Sequence, residues 1–166
     1  MKPHIEALSR IGACLSALDF AETYDTAQAA WDACPRGDWL LWLIGKDCGS
    51  VGSPARLKLV GVCSAIAREA LSIYERRCPN DPRVRTCLDT LDRYAAGGAT
   101  LEEVSAADAA AADAARSAYA ARSASAAWSA ADAAAWSAAD AAYARVSMQK
   151  KTADIVRQHY PICPTL

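Results

Sequence analysis

Residues 100–161 read TLEEVSAADAAAADAARSAYAARSASAAWSAADAAAWSAADAAYARVSMQKKTADIVRQHYP, and this stretch decides the fold class. It opens on Thr100-Leu101-Glu102-Glu103, a capping box in which a Thr N-cap and a Glu three residues on satisfy each other's backbone donors. Neither Gly nor Pro follows until Pro161. Alanine has the highest helix propensity, so the whole stretch is expected to be helical. A single helix of that length would measure about 90 Å at 1.5 Å per residue. That is too long for a compact domain of 166 residues, so a kink or break is expected.

The decorated residues suggest where. From 105 to 123, Asp108, Asp113, Arg116, Tyr119, Arg122 and Ser123 share one side, and the opposite arc is almost pure alanine. From 125 to 143, Ser125, Trp128, Ser129, Asp132, Trp136, Asp140 and Tyr143 share a side turned by roughly half a revolution, at about 100° per residue. The break is therefore predicted near Ser123-Ala124-Ser125. The octamer Ala-Trp-Ser-Ala-Ala-Asp-Ala-Ala occurs at 127–134 and again at 135–142. It is not a heptad, so no conventional coiled coil follows. Bare alanine faces let helix axes approach closely and invite self-association. A homodimer is expected more often than a monomer.

Upstream, Gly and Pro punctuate helices. Ile5, Leu8, Gly12 and Leu15 predict a first helix opened by Pro3. Phe20, Tyr24, Ala27 and Trp31 predict a second, ended by Cys34-Pro35. Asp38 is placed to cap a short helix, Trp39 to Ile44, that is apolar almost all round and should be buried. A long core helix is expected from Pro54 to about Arg77. Asp81 as N-cap with Pro82 at the first helical position starts the next helix, which Gly97-Gly98 ends. No strand-like alternation occurs. The reading is all-α: a single-domain bundle of about six or seven helices, with residues 1–98 as a mixed-sequence core and 99–160 as alanine-rich helices packed on it.

Composition narrows the function classes. Net charge is −1, so no basic excess exists for general nucleic-acid binding. The strongest apolar block, Trp39 to Ile44, is far too short to span a bilayer. Met1-Lys2-Pro3-His4 leads into a mixed amphipathic stretch rather than the apolar run of a signal peptide. Seven cysteines without a CxxC pair read as small buried thiols of a reducing bacterial cytoplasm. No nucleophile elbow, phosphate loop, dinucleotide fingerprint or zinc-protease motif is present, and nothing asks for a cofactor. His4 and His159 lie near opposite termini and meet only if the ends pack together.

Three groups remain as candidate binding residues. Trp128, Asp132 and Trp136 sit at i, i+4 and i+8, and Asp140 and Tyr143 continue the patch; two indoles flanking a carboxylate suit a cationic or planar ligand. Trp39 and Trp42, one turn apart and near Trp31, form a second aromatic cluster, with core packing as its plainer reading. Arg68, Arg76 and Arg77 concentrate cationic charge mid-chain, where a guanidinium meets either an internal carboxylate or a ligand phosphate.

Two blocks carry a family resemblance. Ala30-Trp31-Asp32-Ala33-Cys34-Pro35-Arg36-Gly37-Asp38-Trp39-Leu40-Leu41-Trp42-Leu43 resembles a motif of small alanine-rich phage and prophage proteins. So does Cys78-Pro79-Asn80-Asp81-Pro82-Arg83 followed by Leu88, Tyr94, Ala95 and Gly97. With an alanine tract behind them, the same blocks resemble the Imm-five-like group of immunity proteins from bacterial toxin systems. The resemblance implies a helical fold and a protein that neutralises a toxin or defence protein by binding it, without catalysis. A sponge that sequesters a nucleotide-like signalling molecule is the second reading, with aromatics stacking the base and Arg68, Arg76 or Arg77 holding phosphate. A cryptic Cys or His hydrolase is the third.

Overall fold

The computed structural model describes residues 2–126 and 138–165, with the side chains of 77, 118–126 and 138–143 excepted. Eight helices and no strand occur among the described residues: α1 (Pro3–Arg10), α2 (Leu15–Glu22), α3 (Ala27–Ala33), α4 (Gly37–Asp47), α5 (Pro54–Arg77), α6 (Arg83–Ala95), α7 (Leu101–Ala126) and α8 (Ala138–His159). The protein is all-α. No helix among the described residues is long and apolar enough to cross a membrane.

The chain forms two compact units. The first joins residues 1–50 to residues 144–166. Its core gathers Ile5, Ala21 and Ala30, with Leu8, Leu18 and Tyr24 packed against them. The Lys2 ammonium donates to the Glu22 and Tyr24 carbonyls at 2.9 and 2.7 Å, a cation at the negative end of α2. The C-terminal segment is tied to α3 by three hydrogen bonds. Gln28 Nε2 donates to the Pro161 carbonyl (3.0 Å), Trp31 Nε1 to the Tyr160 carbonyl (3.1 Å), and the Cys163 amide to Gln28 Oε1 (2.8 Å). Close by, Arg157 donates to the Cys34 carbonyl at 2.7 Å.

Where α4 meets α8 the backbones nearly touch. A Cβ built on Gly37 would fall onto the Thr152 side chain and come within 2.8 Å of the Ala153 backbone nitrogen. Glycine is required there because no side chain fits.

The second unit spans residues 51–143. Ser53 caps α5 by accepting from the Arg56 amide (3.3 Å), and α6 packs on both α5 and α7. Arg68 on α5 reaches Asp89 (2.7 Å) and Asp92 (2.5 Å) on α6, while Ser64, fully buried, donates to the Leu88 carbonyl (3.4 Å). Arg93 on α6 holds Glu103 on α7 at 2.9 Å. The capping box forms as written: the Glu103 amide donates to Thr100 Oγ1 (3.2 Å) and the Thr100 amide to Glu103 Oε2 (2.7 Å).

Several boundaries differ from the sequence reading. The first helix stops at Arg10, because Gly12 takes a φ of +83° and closes a Schellman motif. In it the Ala13 amide donates to the Leu8 carbonyl and the Gly12 amide to Ser9. The second stripe is split into α2 and α3 because Thr26 accepts from the Ala29 amide and restarts the helix. Asp38 does not cap α4; it lies inside the first turn, clasped by Arg36 at 2.8 and 2.6 Å. Only one side of α4 is buried, through Leu40, Leu43 and Ile44, and both its indoles are half-buried. Asp81 is not the N-cap of α6: Pro82 takes that position, just outside the helix, and Asp81, one residue earlier, accepts from the Arg83 amide (3.1 Å). Helix α7 is described through Ser123, Ala124 and Ser125 to Ala126, and the kink or break expected near them borders residues 127–137, outside the described residues. All seven cysteines are free thiols, with Cys14 and Cys63 exposed rather than buried.

Candidate functional site

The four short helices of the first unit leave a cavity of about 340 Å³ between them. Its lining mixes small residues, Ala13, Ala17, Ala21, Ala27 and Ala30, with the aromatic side chains of Phe20, Trp31, Trp39 and Trp42. The local sequence explains both sets. The Schellman turn at Gly12 folds α2 back, and the Thr26 cap redirects α3, so alanine positions from three segments converge. Pro35 and the extended backbone of Cys34 and Arg36 turn the chain into α4, which brings Trp39 and Trp42 into the lining. Cys163 closes one edge from the far end of the chain.

The polar groups of the lining are largely engaged within the protein. Trp31, only 2% exposed, donates to the Tyr160 carbonyl as above. His4 is buried, with Nε2 3.3 Å from the Ala21 carbonyl oxygen. Cys34 Sγ donates to the Arg36 carbonyl (3.6 Å). Both carboxylate oxygens of Asp38 accept from Arg36, which holds the Asp38 carboxyl below the usual carboxylate range. Burial pushes the Cys34 thiol up, and pushes Cys163 up to about 11, with Asp32 adding to it. Both therefore remain neutral thiols at pH 7 and are weak nucleophiles. Two cations lie over the indoles: the Arg36 guanidinium 4.5 Å from the Trp39 ring centre and the Lys46 ammonium 4.8 Å from that of Trp42. Neither lines the cavity.

The other sequence candidates are distributed differently. Arg68 is committed to Asp89 and Asp92, whose carboxylates keep the guanidinium strongly protonated. Arg76 is exposed and makes no ion pair among the described residues. It stands one turn from Ile73, which is 45% exposed. The Arg77 side chain lies outside what is described, as do Trp128, Asp132 and Trp136 and the side chains of Asp140 and Tyr143. Trp39 and Trp42 are thus together with Trp31 at the cavity, and no arginine joins them in its lining. His159 is exposed at the end of α8 while His4 is buried. Among the described residues, no group of three or more His, Cys, Asp or Glu side chains is gathered to hold a metal ion. The lining alanines, His4 and Cys163 escaped the sequence reading. The only signal for them was the four-residue spacing of Ala13, Ala17 and Ala21, which alanine abundance elsewhere in the chain obscures.

No curated protein and no solved structure matches the chain. A family model described as Imm-5 like putative immunity protein matches residues 53–160. The block at 78–97 lies inside that match, whereas the block at 30–43 and every residue lining the cavity lie outside it. Because the match covers well over half of the chain, from the cap of α5 to just past the end of α8, this protein belongs to the Imm-5 like immunity protein family.

Proposed function

We propose that the protein neutralises a toxin or a defence-system component by direct, non-catalytic binding, in the cytoplasm of a bacterium, as an immunity or phage anti-defence protein. Family membership over 53–160 is the observation that carries this reading. Within that segment, the exposed Ile73 and Arg76 on α5 form a contact pair of the kind that anchors protein interfaces, an apolar residue beside an uncommitted guanidinium. The Trp128–Asp132–Trp136 patch is the second contact in the proposal. The raised thiols of Cys34 and Cys163 support a non-catalytic role. A homodimer through the bare alanine faces belongs to the same reading, and light scattering decides it.

The nucleotide-sponge reading is less well supported. It needs a guanidinium available beside the stacking aromatics, whereas Arg36, over Trp39, is paired to Asp38 and the lining of the indole cavity contains neither arginine nor lysine.

The test is co-expression with candidate toxins in a growth assay, followed by isolation of the protective pair. The expected result is a stoichiometric complex whose affinity falls at least tenfold in Arg76→Glu while helical circular dichroism is unchanged. Protection that persists with the protein in hundredfold deficit over the toxin would overturn direct binding in favour of catalysis.

A further inference from the structure

No residue lining the cavity of the first unit lies within the family-matched segment, and the lining points to a ligand. A void lined by well-packed apolar side chains loses dispersion contacts and is destabilising. Here five alanines and four aromatic rings line the space. Aromatic rings interspersed with small residues suit a planar molecule, which can stack on the half-buried indoles of Trp39 and Trp42.

Size and polarity narrow the class. A dry cavity of roughly 150 Å³ takes one benzene ring, so about 340 Å³ takes two or three rings. This volume is at the small end of ordinary small-molecule pockets, roughly 300–1,000 Å³. Several lining groups that would otherwise greet a polar ligand are already bonded: Trp31 Nε1 to Tyr160, His4 Nε2 to Ala21, Cys34 to Arg36, and both Asp38 oxygens to Arg36. Asp38 and Arg36 neutralise each other, so the ion pair beside the slot offers no net charge to select a charged partner. A ligand with a charge would lose its hydration and gain no charged partner, whereas the Trp39 and Trp42 N–H groups suit a neutral one.

We propose that this cavity is a binding site for a free, uncharged, planar aromatic molecule of two or three rings. The probe that tests it is N-phenyl-1-naphthylamine, uncharged at pH 7 and fluorescent in apolar surroundings, titrated into the full-length protein. The expected result is saturable one-to-one binding that indole displaces. Indole-3-acetate and tryptamine, the same ring system with a negative or a positive charge, should need at least tenfold higher concentrations. Ala17→Phe should abolish binding by filling the slot. Where that variant loses its helical circular dichroism, Ala27→Leu, on a different helix, serves in its place. Leu15→Ser and Ile162→Ser remove the most exposed apolar side chains near the slot and should leave probe binding unchanged. The proposal is overturned by absence of saturable binding, by equal displacement by the charged analogues, by a folded slot-filled variant that binds like the parent, or by loss of binding in the two surface variants.

Discussion

Two Gly→Ala substitutions in the same helix should change stability in opposite directions. At Gly37, the first residue of α4, an added methyl would meet the Thr152 side chain and, at 2.8 Å, the Ala153 backbone nitrogen. The Thr152 Cγ2 can rotate away; the Thr152 Cβ and the Ala153 backbone nitrogen cannot move without shifting α8. Overpacking of this kind costs about 1–3 kcal/mol, and a backbone obstacle belongs at the upper end. The gain from alanine's better helix propensity is at most about 1 kcal/mol and smaller at the first turn. The net expectation is a loss of about 2 kcal/mol, a large share of a stability of about 5–15 kcal/mol. For a chain of this size that lowers Tm by roughly 4–8 °C. At Gly45, exposed in the same helix, nothing lies within 4 Å of the new methyl. Alanine there should add about 0.5–1 kcal/mol by restricting the unfolded chain. Urea denaturation followed by circular dichroism measures both. Thr152→Ala in the Gly37→Ala background should recover only a small part of the loss, since it removes the Cγ2 obstacle and leaves both the Cβ of residue 152 and the Ala153 nitrogen in the way, and a double-mutant cycle would report that coupling. Because α4 carries Trp39 and Trp42 into the cavity, Gly37→Ala should also weaken binding of the naphthylamine probe, and Gly45→Ala should not. A Gly37→Ala protein as stable as the parent would refute the close approach of α4 and α8.

Arg68→Met should lower stability by only about 1 kcal/mol at low salt, because the Arg68, Asp89 and Asp92 side chains are 32%, 58% and 46% exposed and water screens them. The difference should narrow in 1 M NaCl, where the screening length is about 3 Å; a salt-independent loss above about 3 kcal/mol would mean that the cluster is effectively buried. Asp81 gives a pH signature: the Arg83 guanidinium at 2.9 and 2.6 Å, and then the Arg83 amide, hold its carboxyl far below the usual range. A depressed carboxyl stabilises the fold above its unfolded value of about 4 and loses that contribution as pH falls below it. Asp81→Asn should therefore be less stable than the parent at pH 7, with the gap closing below about pH 4; a gap that stays constant down to pH 2 would exclude the assignment. The neighbouring Tyr74 hydroxyl, shut off from water near that carboxylate, is pushed up to about 12 by burial and then by Asp81. Its contribution is complete below pH 10 and disappears as pH rises through 12, so Tyr74→Phe should remove the last step of the alkaline tyrosine absorbance titration.

The parts of the fold that were legible are those fixed by chemistry within four residues. Pro54, the Thr100–Glu103 box and Gly97-Gly98 each act locally, and each ends or starts a helix where the sequence places it. The misread boundaries have local causes too, but a continuing apolar period masked them. Phe20, Tyr24, Ala27 and Trp31 keep helical spacing straight across the break that Thr26 makes, and Ile5 to Leu15 keep it across Gly12. Periodicity reports which residues face a core; it does not report whether one helix or two present them.

The candidate site divides along the same line. Trp39 and Trp42 were visible because large aromatics are conspicuous, whereas an alanine that lines a cavity looks the same as one that lets two helices touch. Cys163 reaches the cavity only because Gln28, Trp31 and Cys34 bind the segment from Arg157 to Cys163, a pairing across more than 120 positions that local spacing cannot encode. The family-matched residues 53–160 and the cavity lining share no position, although Arg157 and Tyr160 of the matched segment brace the cavity's walls. On the two proposals, partner binding and ligand binding are separable. Arg76→Glu should abolish partner neutralisation and spare the aromatic probe, and Ala17→Phe should do the reverse. Joint loss in either folded variant would mean that ligand and partner compete for, or cooperate through, a single site, and the cavity would then be part of the neutralising surface.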